Sequence, residues 1–174
     1  MSRESIVTQI PALRRYARAL TGDIWAADDL VQDTLERACS RWRLWLAGTD
    51  LRAWLFTVMH NLFISQVRQD QRRAEIMQPV DIDDVAHEMQ APGAAQGITI
   101  DLQRCLLRLP MDQRAVLLLV TLEDMSYAEV AKVVGVPIGT VMSRLARGRD
   151  RMRELMQEPK STASRNAPVL RRLK

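Results

Sequence analysis

The sequence predicts an all-α protein of two small helical domains joined by an acidic linker. Apolar residues recur every three or four positions in most segments, which is the period of an amphipathic helix. The 174 residues include only seven glycines and seven prolines, too few for a turn-rich β protein. Positions 74–98 carry five acidic residues and no lysine or arginine, and basic segments flank them. The predicted division is domains at 1–73 and 99–157, a flexible linker at 74–98 and a disordered basic tail at 158–174.

Three helices are predicted in the first domain, over residues 5–20, 24–45 and 51–71. Gly22 is placed to end the first helix, and Asp23 and Asp50 are placed to cap the second and the third. The third helix carries Asn61, Ser65 and Arg68 along a polar line, because their spacing of four and three returns them to one side. Its other sides are apolar, so the helix is expected to be buried on more than one side.

The second helix has an acidic face that lies apart from its apolar stripe. Asp29 and Asp33 are one turn apart, and Asp28 lies beside them. A charged face of this kind is either solvated or a docking surface for a basic partner. A third interpretation is magnesium binding in an all-helical enzyme, but the chain has no second helix motif rich in carboxylates.

Tryptophan and arginine alternate around the loop at 46–50. Aromatic side chains interleaved with arginine can stack on unpaired nucleic-acid bases. Tryptophan at helical spacing more often fills a core, so Trp42 and Trp54 are expected to be buried, whereas Trp45 is equally suited to either role.

The second domain contains a predicted helix-turn-helix. Ser126 and Glu129 form the pattern of a capping box, and Gly135 is placed to end that short helix. The next helix carries five arginines and only one acidic residue between 144 and 153. Its residues Thr140, Arg144, Arg147 and Arg151 lie on one side, away from the apolar line. A helix of this kind fits the major groove of DNA, where phosphate contacts hold it and a few side chains read bases.

The remaining composition excludes several classes of protein. The longest strongly apolar run is about eight residues, whereas a membrane span needs roughly 20. The first ten residues show no apolar signal-peptide core, and the expected location is the cytoplasm. Cys39 and Cys105 are expected to be buried thiols, and His60 and His87 have no metal-ligand spacing around them. Neither a metal nor a cofactor is therefore expected.

Five motifs together resemble the extracytoplasmic function group of bacterial sigma factors. They are ADDLVQDT at 27–34, LRAWLF at 51–56, LPMDQR at 109–114, SYAEVA at 126–131 and GTVMSRL at 139–145. The first two are similar to the family's region 2 and the other three to its region 4. Each motif alone is moderately specific, but their order across an acidic linker is highly specific.

The resemblance implies that the protein is not itself an enzyme but directs core RNA polymerase to promoters. It implies that an acidic face docks on the clamp helices of the β′ subunit, that region 4 also docks on the β flap, and that an anti-sigma protein often restrains the factor. The implied docking residues are Asp28, Asp29, Gln32 and Asp33. The residues implied at the melted −10 element, where one base is flipped out, are Trp45, Asp50, Asn61, Ser65 and Arg68. Those implied at the −35 duplex are Thr140, Ser143, Arg144 and Arg147, and Arg151 lies on the same side.

Three other functions stay open at this point. One is a helix-turn-helix repressor or activator in which residues 5–73 sense a ligand or dimerise. The second is a magnesium-dependent enzyme using Asp28, Asp29 and Asp33, and the third is an interaction module alone. Gly148 departs from the alanine that is frequent in the sigma family, and a helical glycine costs about 1 kcal/mol.

Overall fold

The structure is a computed structural model that describes residues 4–41, 50–76 and 94–157. The predicted all-α class is confirmed, since eight helices and no strands form these ranges. The helices are α1 (Glu4–Val7), α2 (Ile10–Thr21), α3 (Ile24–Ser40), α4 (Leu51–Ile76), α5 (Ala94–Leu107), α6 (Met111–Thr121), α7 (Tyr127–Val134) and α8 (Ile138–Gln157). None of these helices is long and apolar enough to cross a membrane.

The first domain is a bundle in which α3 packs against both α2 and α4. Its core contains Leu13, Leu30 and Leu55, which are fully buried. The rings of Tyr16 and Phe56 meet edge to face with centroids 5.3 Å apart, a favoured aromatic geometry. This core packs α3 closely against α4.

The predicted first helix is wrong in one respect, because two helices replace it. The helical conformation is interrupted between Val7 and Ile10, and Pro11 lies in the first turn of α2. Proline has no N–H and its ring clashes with the carbonyl four residues earlier, so a helix begins beside it more easily than it runs through it. Gly22 ends α2 in the left-handed conformation, as predicted.

The other boundaries in this domain differ from the predicted ones by a few residues. Helix α3 ends at Ser40, earlier than predicted, and α4 continues past residue 71 to Ile76. Asp23 accepts a hydrogen bond from the Ala26 N–H at 2.7 Å, which confirms the predicted cap. Trp42 and Trp45 lie outside the described residues.

The second domain is a smaller bundle in which α8 packs across α5, α6 and α7. The predicted apolar line of α8 is confirmed, since Val141, Leu145, Gly148, Met152 and Leu155 are all buried. Most of the predicted linker and the predicted tail lie outside the described residues. Helix α4 extends to residue 76 and α5 begins at residue 94, so both helices reach into the stretch assigned to the linker.

The expectation of two buried thiols is wrong. Cys39 is exposed and Cys105 is half-buried. Cys39 follows the buried Ala38 on α3, and one step along a helix turns a side chain by roughly 100°, out of the apolar stripe. The position of Cys39 on the helix, and not the general tendency of cysteine to be buried, therefore determines its exposure.

The two domains pack directly against each other. Helix α2 contacts α5 and α6, and α4 contacts α7. Leu107 of α5 lies so close to Gly22 that a Cβ on Gly22 would be 2.5 Å from its side chain. The amide of Gln103 donates to the Ala19 carbonyl at 3.2 Å. The described residues therefore form a closed arrangement of the two domains.

Candidate functional site

The helix-turn-helix is built by the local signals that predict it. The Ser126 hydroxyl accepts from the Glu129 N–H, and the Glu129 carboxylate accepts from the Ser126 N–H at 2.7 Å. The Ser126 hydroxyl and then the Ser126 N–H both donate to this carboxylate, and they hold the pKa of Glu129 below its usual range. Gly135 then ends α7 with a φ of 67°. The capped helix and the tight turn fix the direction in which α8 starts.

The side chains of α8 assigned to the −35 element differ in exposure. Arg147 and Arg151 are exposed, whereas Thr140, Ser143 and Arg144 are half-buried. Arg144 pairs with Asp112 of α6 through a 3.0 Å contact between its Nε and the Asp112 Oδ2. Arg151 pairs with Glu154 at 2.9 Å on the open surface. The structure therefore presents part of this face and holds Arg144 in an ion pair within the second domain.

The polar line on α4 is exposed as the spacing predicts. Asn61, Ser65 and Arg68 all face outward, and the Ser65 hydroxyl donates to the Asn61 carbonyl at 2.8 Å. Asp50 accepts from the Arg52 N–H at 2.9 Å and so caps the start of α4. Trp45, the remaining residue assigned to the −10 element, lies outside the described residues.

A cleft of about 320 Å³ lies between α3 and α4, beside the polar line of α4. Its lining combines cations with an aromatic side chain and hydroxyl and amide groups, a chemistry suited to nucleotides. The lining residues are Arg37, Arg41, Trp54, Thr57, Val58, Asn61, Leu62 and Ser65. Trp54 is half-buried against the core, which is less buried than expected.

The acidic face of α3 is open to solvent over most of its length. Asp29, Gln32 and Asp33 are exposed. Asp28 is half-buried and lies 3.5 Å from Arg14 of α2, and Asp33 accepts from Gln66 of α4 at 3.3 Å. No group of three or more histidine, cysteine or acidic side chains placed to hold a metal occurs among the described residues.

Trp25 is a surface residue that the sequence reasoning missed. It lies in the first turn of α3 and is 80% exposed, although a tryptophan side chain is large and apolar. Its spacing of four residues from Asp29 and seven from Gln32 places it on the acidic face. The pattern that finds Asp29 and Gln32 finds Trp25 as well, once exposed apolar residues are sought on that face.

Glu123 is a second missed residue, and it lies between the domains. Its side chain is fully buried, which is rare for a glutamate unless it is paired. Arg15 of α2 and Arg52 of α4 both contact its carboxylate. A sequence signal for this contact is absent, because the partners are 108 and 71 residues away along the chain.

Three further polar groups lie at the same contact. Tyr16 is fully buried near Arg114 and Glu123 of the second domain, and burial raises the pKa of its hydroxyl. Burial also lowers the pKa of Arg114. His60 of α4 is buried, and this burial, together with the positive charge of Arg144, lowers its pKa to about 4.

Comparison with known proteins identifies both domains. Residues 6–60 match the family described as the Sigma2 domain of PhyR, and residues 99–152 match Sigma-70, region 4. The chain is 37% identical over 157 residues to the ECF RNA polymerase sigma factor EcfG of Rhodopseudomonas palustris, covering 88% of this chain and 84% of that protein. The chain belongs to the extracytoplasmic function group of RNA polymerase sigma factors. It is an alternative sigma factor that directs promoter-specific transcription initiation.

Two other relatives show the same family. ECF sigma factor SigC of Mycobacterium tuberculosis is 30% identical over 151 residues, with 80% of each chain covered. The sigma factor RpoE of Bartonella quintana, solved with the anti-sigma factor NepR, superposes with a TM-score of 0.75 at 33% identity. That superposition covers 91% of this chain and 98% of RpoE. The predicted family is therefore confirmed over nearly the whole chain.

Proposed function

We propose that this sigma factor assigns its three tasks to three separate surfaces. The acidic face of α3 docks on core polymerase, the outer face of α4 meets the melted −10 strand, and the exposed side of α8 reads the −35 duplex. The observation that carries this assignment is the capped helix-turn-helix, which presents Arg147 and Arg151 to solvent while the apolar line of α8 stays buried. The domain division at 1–73, 74–98 and 99–157 follows the same tasks, and the protein works in the cytoplasm, where polymerase and promoters meet.

The docking surface combines charge with one apolar anchor. Asp28, Asp29, Gln32 and Asp33 provide acidic and polar groups for a basic surface of core polymerase, the β′ clamp helices. Trp25 adds a large apolar side chain to the same face, and exposed aromatic residues are frequent hot spots at interfaces. Region 4 makes a further contact with the β flap.

The −10 surface consists of the polar line and the cleft beside it. Asn61, Ser65 and Arg68 approach the single strand, with Asp50 at the start of α4 and Trp45 in the preceding loop. A base flipped from the duplex costs a few kcal/mol to unstack. Stacking and arginine contacts within such a site offset that cost.

The −35 surface reads duplex DNA through Thr140, Ser143 and Arg144, and Arg147 and Arg151 hold the phosphates. Two phosphate contacts would give a log–log salt slope of roughly −2. Because Arg144 is paired with Asp112 in the free protein, its contact with DNA requires the guanidinium to leave that carboxylate or to bridge both groups.

An anti-sigma factor controls access to these surfaces. RpoE of Bartonella quintana was solved with the anti-sigma factor NepR, and it superposes on nearly the whole chain. The first domain also matches the Sigma2 domain of PhyR, and PhyR of Bartonella quintana was solved in complex with NepR. A partner of the NepR kind is therefore the best-supported choice.

The −35 assignment is tested by comparing Arg144→Ala with Arg149→Ala in transcription by the reconstituted holoenzyme. Both variants remove one positive charge from α8, but Arg149 lies toward the apolar groove that contains Leu117 and Met152. Arg144→Ala should cost about 1–3 kcal/mol of promoter binding and relax sequence preference at one −35 position. An unchanged promoter profile in Arg144→Ala, or an equal loss in Arg149→Ala, would refute the assignment.

A further inference from the structure

The contact between the domains centres on one buried carboxylate. The Arg15 Nε donates to Glu123 Oε1 at 3.0 Å and its Nη2 donates to Oε2 at 2.9 Å. The Arg52 Nη2 donates to the same Oε2 at 2.9 Å. We propose that Glu123 is a latch that holds the two domains of the free sigma factor closed, and that it is released when the protein engages a promoter.

The latch is held by both its side chain and its backbone. Arg52 also donates to the Glu123 carbonyl at 2.6 Å, so one guanidinium grips two acceptors of the same residue. Asp124 follows with a φ of 51°, a left-handed conformation that turns the chain sharply between α6 and α7. This turn leaves Glu123 between two arginines of the other domain. Glu123 is buried whereas both arginines are partly exposed. Losing an arginine therefore leaves a buried carboxylate with less compensation, which destabilises the closed state.

The same contact contains groups that favour release. Four buried side-chain atoms in the described residues have no hydrogen-bond partner, and three of them are Tyr16 Oη, His60 Nδ1 and Arg114 Nε. Each belongs to a residue that lies on the contact between the domains. Buried polar groups without partners are costly, and opening returns them to water. The ion cluster at Glu123 stabilises the closed state, and several unpaired buried groups destabilise it. A binding partner can therefore shift the equilibrium toward the open state.

The proposed function supplies the reason for release, and the inference rests on it to this extent. The centres of −35 and −10 elements lie about 25 base pairs apart, roughly 85 Å of duplex. A compact chain of this length has a radius of gyration of about 16 Å. The closed form cannot reach both elements at once. Seventeen residues separate Ile76 from Ala94, and a chain of this length can extend to roughly 60 Å, enough for the domains to separate.

The test measures the separation of the domains in the full-length free protein. Spin labels are attached to the native Cys39, which is exposed on α3, and to Met142→Cys on α8, in a Cys105→Ser background. Double electron–electron resonance then gives the distribution of label distances. The latched parent should give one short distance, and Glu123→Gln should shift the population to longer distances. A change of about tenfold in the closed-to-open ratio is expected, within the range of typical coupling energies.

Two variants make the result specific. Arg15→Gln removes one of the two arginine partners of Glu123 and should open the protein in the same direction. The Arg15 side chain is half-exposed, so its loss disturbs neither core. Glu154→Gln removes an exposed acid that pairs with Arg151 at 2.9 Å, and it should leave the distances unchanged. Circular dichroism establishes that each variant keeps its helices. If Glu123→Gln does not fold, Arg15→Gln decides the question alone.

The inference is overturned if the folded variants that remove Glu123 or Arg15 keep the parent distances. It is equally overturned if Glu154→Gln opens the protein as far as they do. Because these distances are measured without polymerase or DNA, they do not depend on whether the surfaces are assigned correctly. A latch that opens as expected in a protein that fails to bind core polymerase would leave the latch standing and reject the proposed function.

Discussion

At the scale of single residues, the proposed docking face is expected to depend on Trp25 and Asp29. Trp25→Ala should weaken binding to core polymerase by about 2 kcal/mol, the loss of a typical hot spot. Asp29→Arg should weaken it as well, because it places a positive charge against a basic surface. Both side chains are exposed, so the thermal midpoint should hardly change. The measurement is the equilibrium affinity of labelled protein for purified core polymerase.

Matched controls for the docking face are Asp70→Arg and Val7→Ala. Asp70 is an exposed acid on α4 and Val7 is an exposed apolar residue on α1, so neither is one of the proposed docking residues on α3. Neither change should alter the affinity. If Asp29→Arg loses affinity and Trp25→Ala does not, the acidic residues contribute to docking and Trp25 does not. If neither loses affinity, docking through α3 is wrong.

A further residue, His60, makes the free energy of unfolding depend on pH. Its pKa is about 4 in the folded protein, because burial and then Arg144 disfavour the charged form, whereas the ordinary value is 6.5. The unfolded chain therefore takes up a proton first as pH falls. The stability from neutral His60 is complete above about pH 6.5 and is lost progressively toward pH 4. Between pH 7.5 and pH 5 the loss is about 2 kcal/mol.

The check on His60 is urea unfolding at pH 7.5 and pH 5, in the parent and in His60→Gln. Other groups titrate over this interval in both proteins, so the difference between their pH dependences isolates His60. The parent should lose about 2 kcal/mol more than the variant on acidification. Equal losses in the two proteins would mean that His60 does not stay neutral in the fold.

At the scale of secondary-structure elements, α8 carries an avoidable cost at Gly148. A Cβ built on Gly148 would lie 3.5 Å from Gln113, an ordinary van der Waals distance. Gly148→Ala should therefore stabilise the protein by about 0.5–1 kcal/mol, because alanine loses less backbone entropy in a helix. The matched change Gly135→Ala should destabilise it by about 1 kcal/mol, since a φ of 67° is left-handed even though the space there is open. Thermal unfolding measures both changes. A loss of stability in Gly148→Ala would contradict the claim that glycine at this position destabilises α8.

The elements that sequence predicts best are those fixed by local chemistry. The capping box at Ser126, the left-handed Gly135 and the buried line of α8 depend on neighbours within a few residues, and all three are confirmed. The first helix is mispredicted because its apolar spacing continues across Pro11, where a local steric rule prevails over periodicity. The exposure of Cys39 is mispredicted for the reverse reason, since its position on the helix prevails over the general tendency of cysteine to be buried.

At the scale of the whole molecule, the sequence predicts the fold class and the order of the domains but not how they meet. Charge blocks and motifs depend only on residues that are close in sequence, so they can be recognised from the sequence alone. The Glu123 contact joins α2, α4 and the turn before α7, and no local sequence pattern predicts it. The pairing of Arg144 with Asp112, which is 32 residues away on α6, is likewise not predictable from local patterns. The exposed part of the site was therefore predictable, and its closed state was not.

The closed arrangement gives the factor two surfaces with different availability. The acidic face of α3 and the polar line of α4 are exposed in the free protein, whereas the −35 side of α8 is only partly exposed. Under the proposed assignment of surfaces, docking on core polymerase can precede −35 contact. This order agrees with a sigma factor that selects promoters as part of a holoenzyme rather than alone.

The central claim is that this chain gives core RNA polymerase the ability to start transcription at particular promoters. The most direct measurement mixes purified core polymerase, the full-length protein and fragmented genomic DNA, and maps the 5′ ends of the transcripts. The account predicts co-elution of the two proteins on a sizing column and a defined set of starts preceded by shared −35 and −10 sequences, with core polymerase alone giving none. Failure to co-elute and to produce specific starts, with core polymerase that is active with another sigma factor, would contradict it.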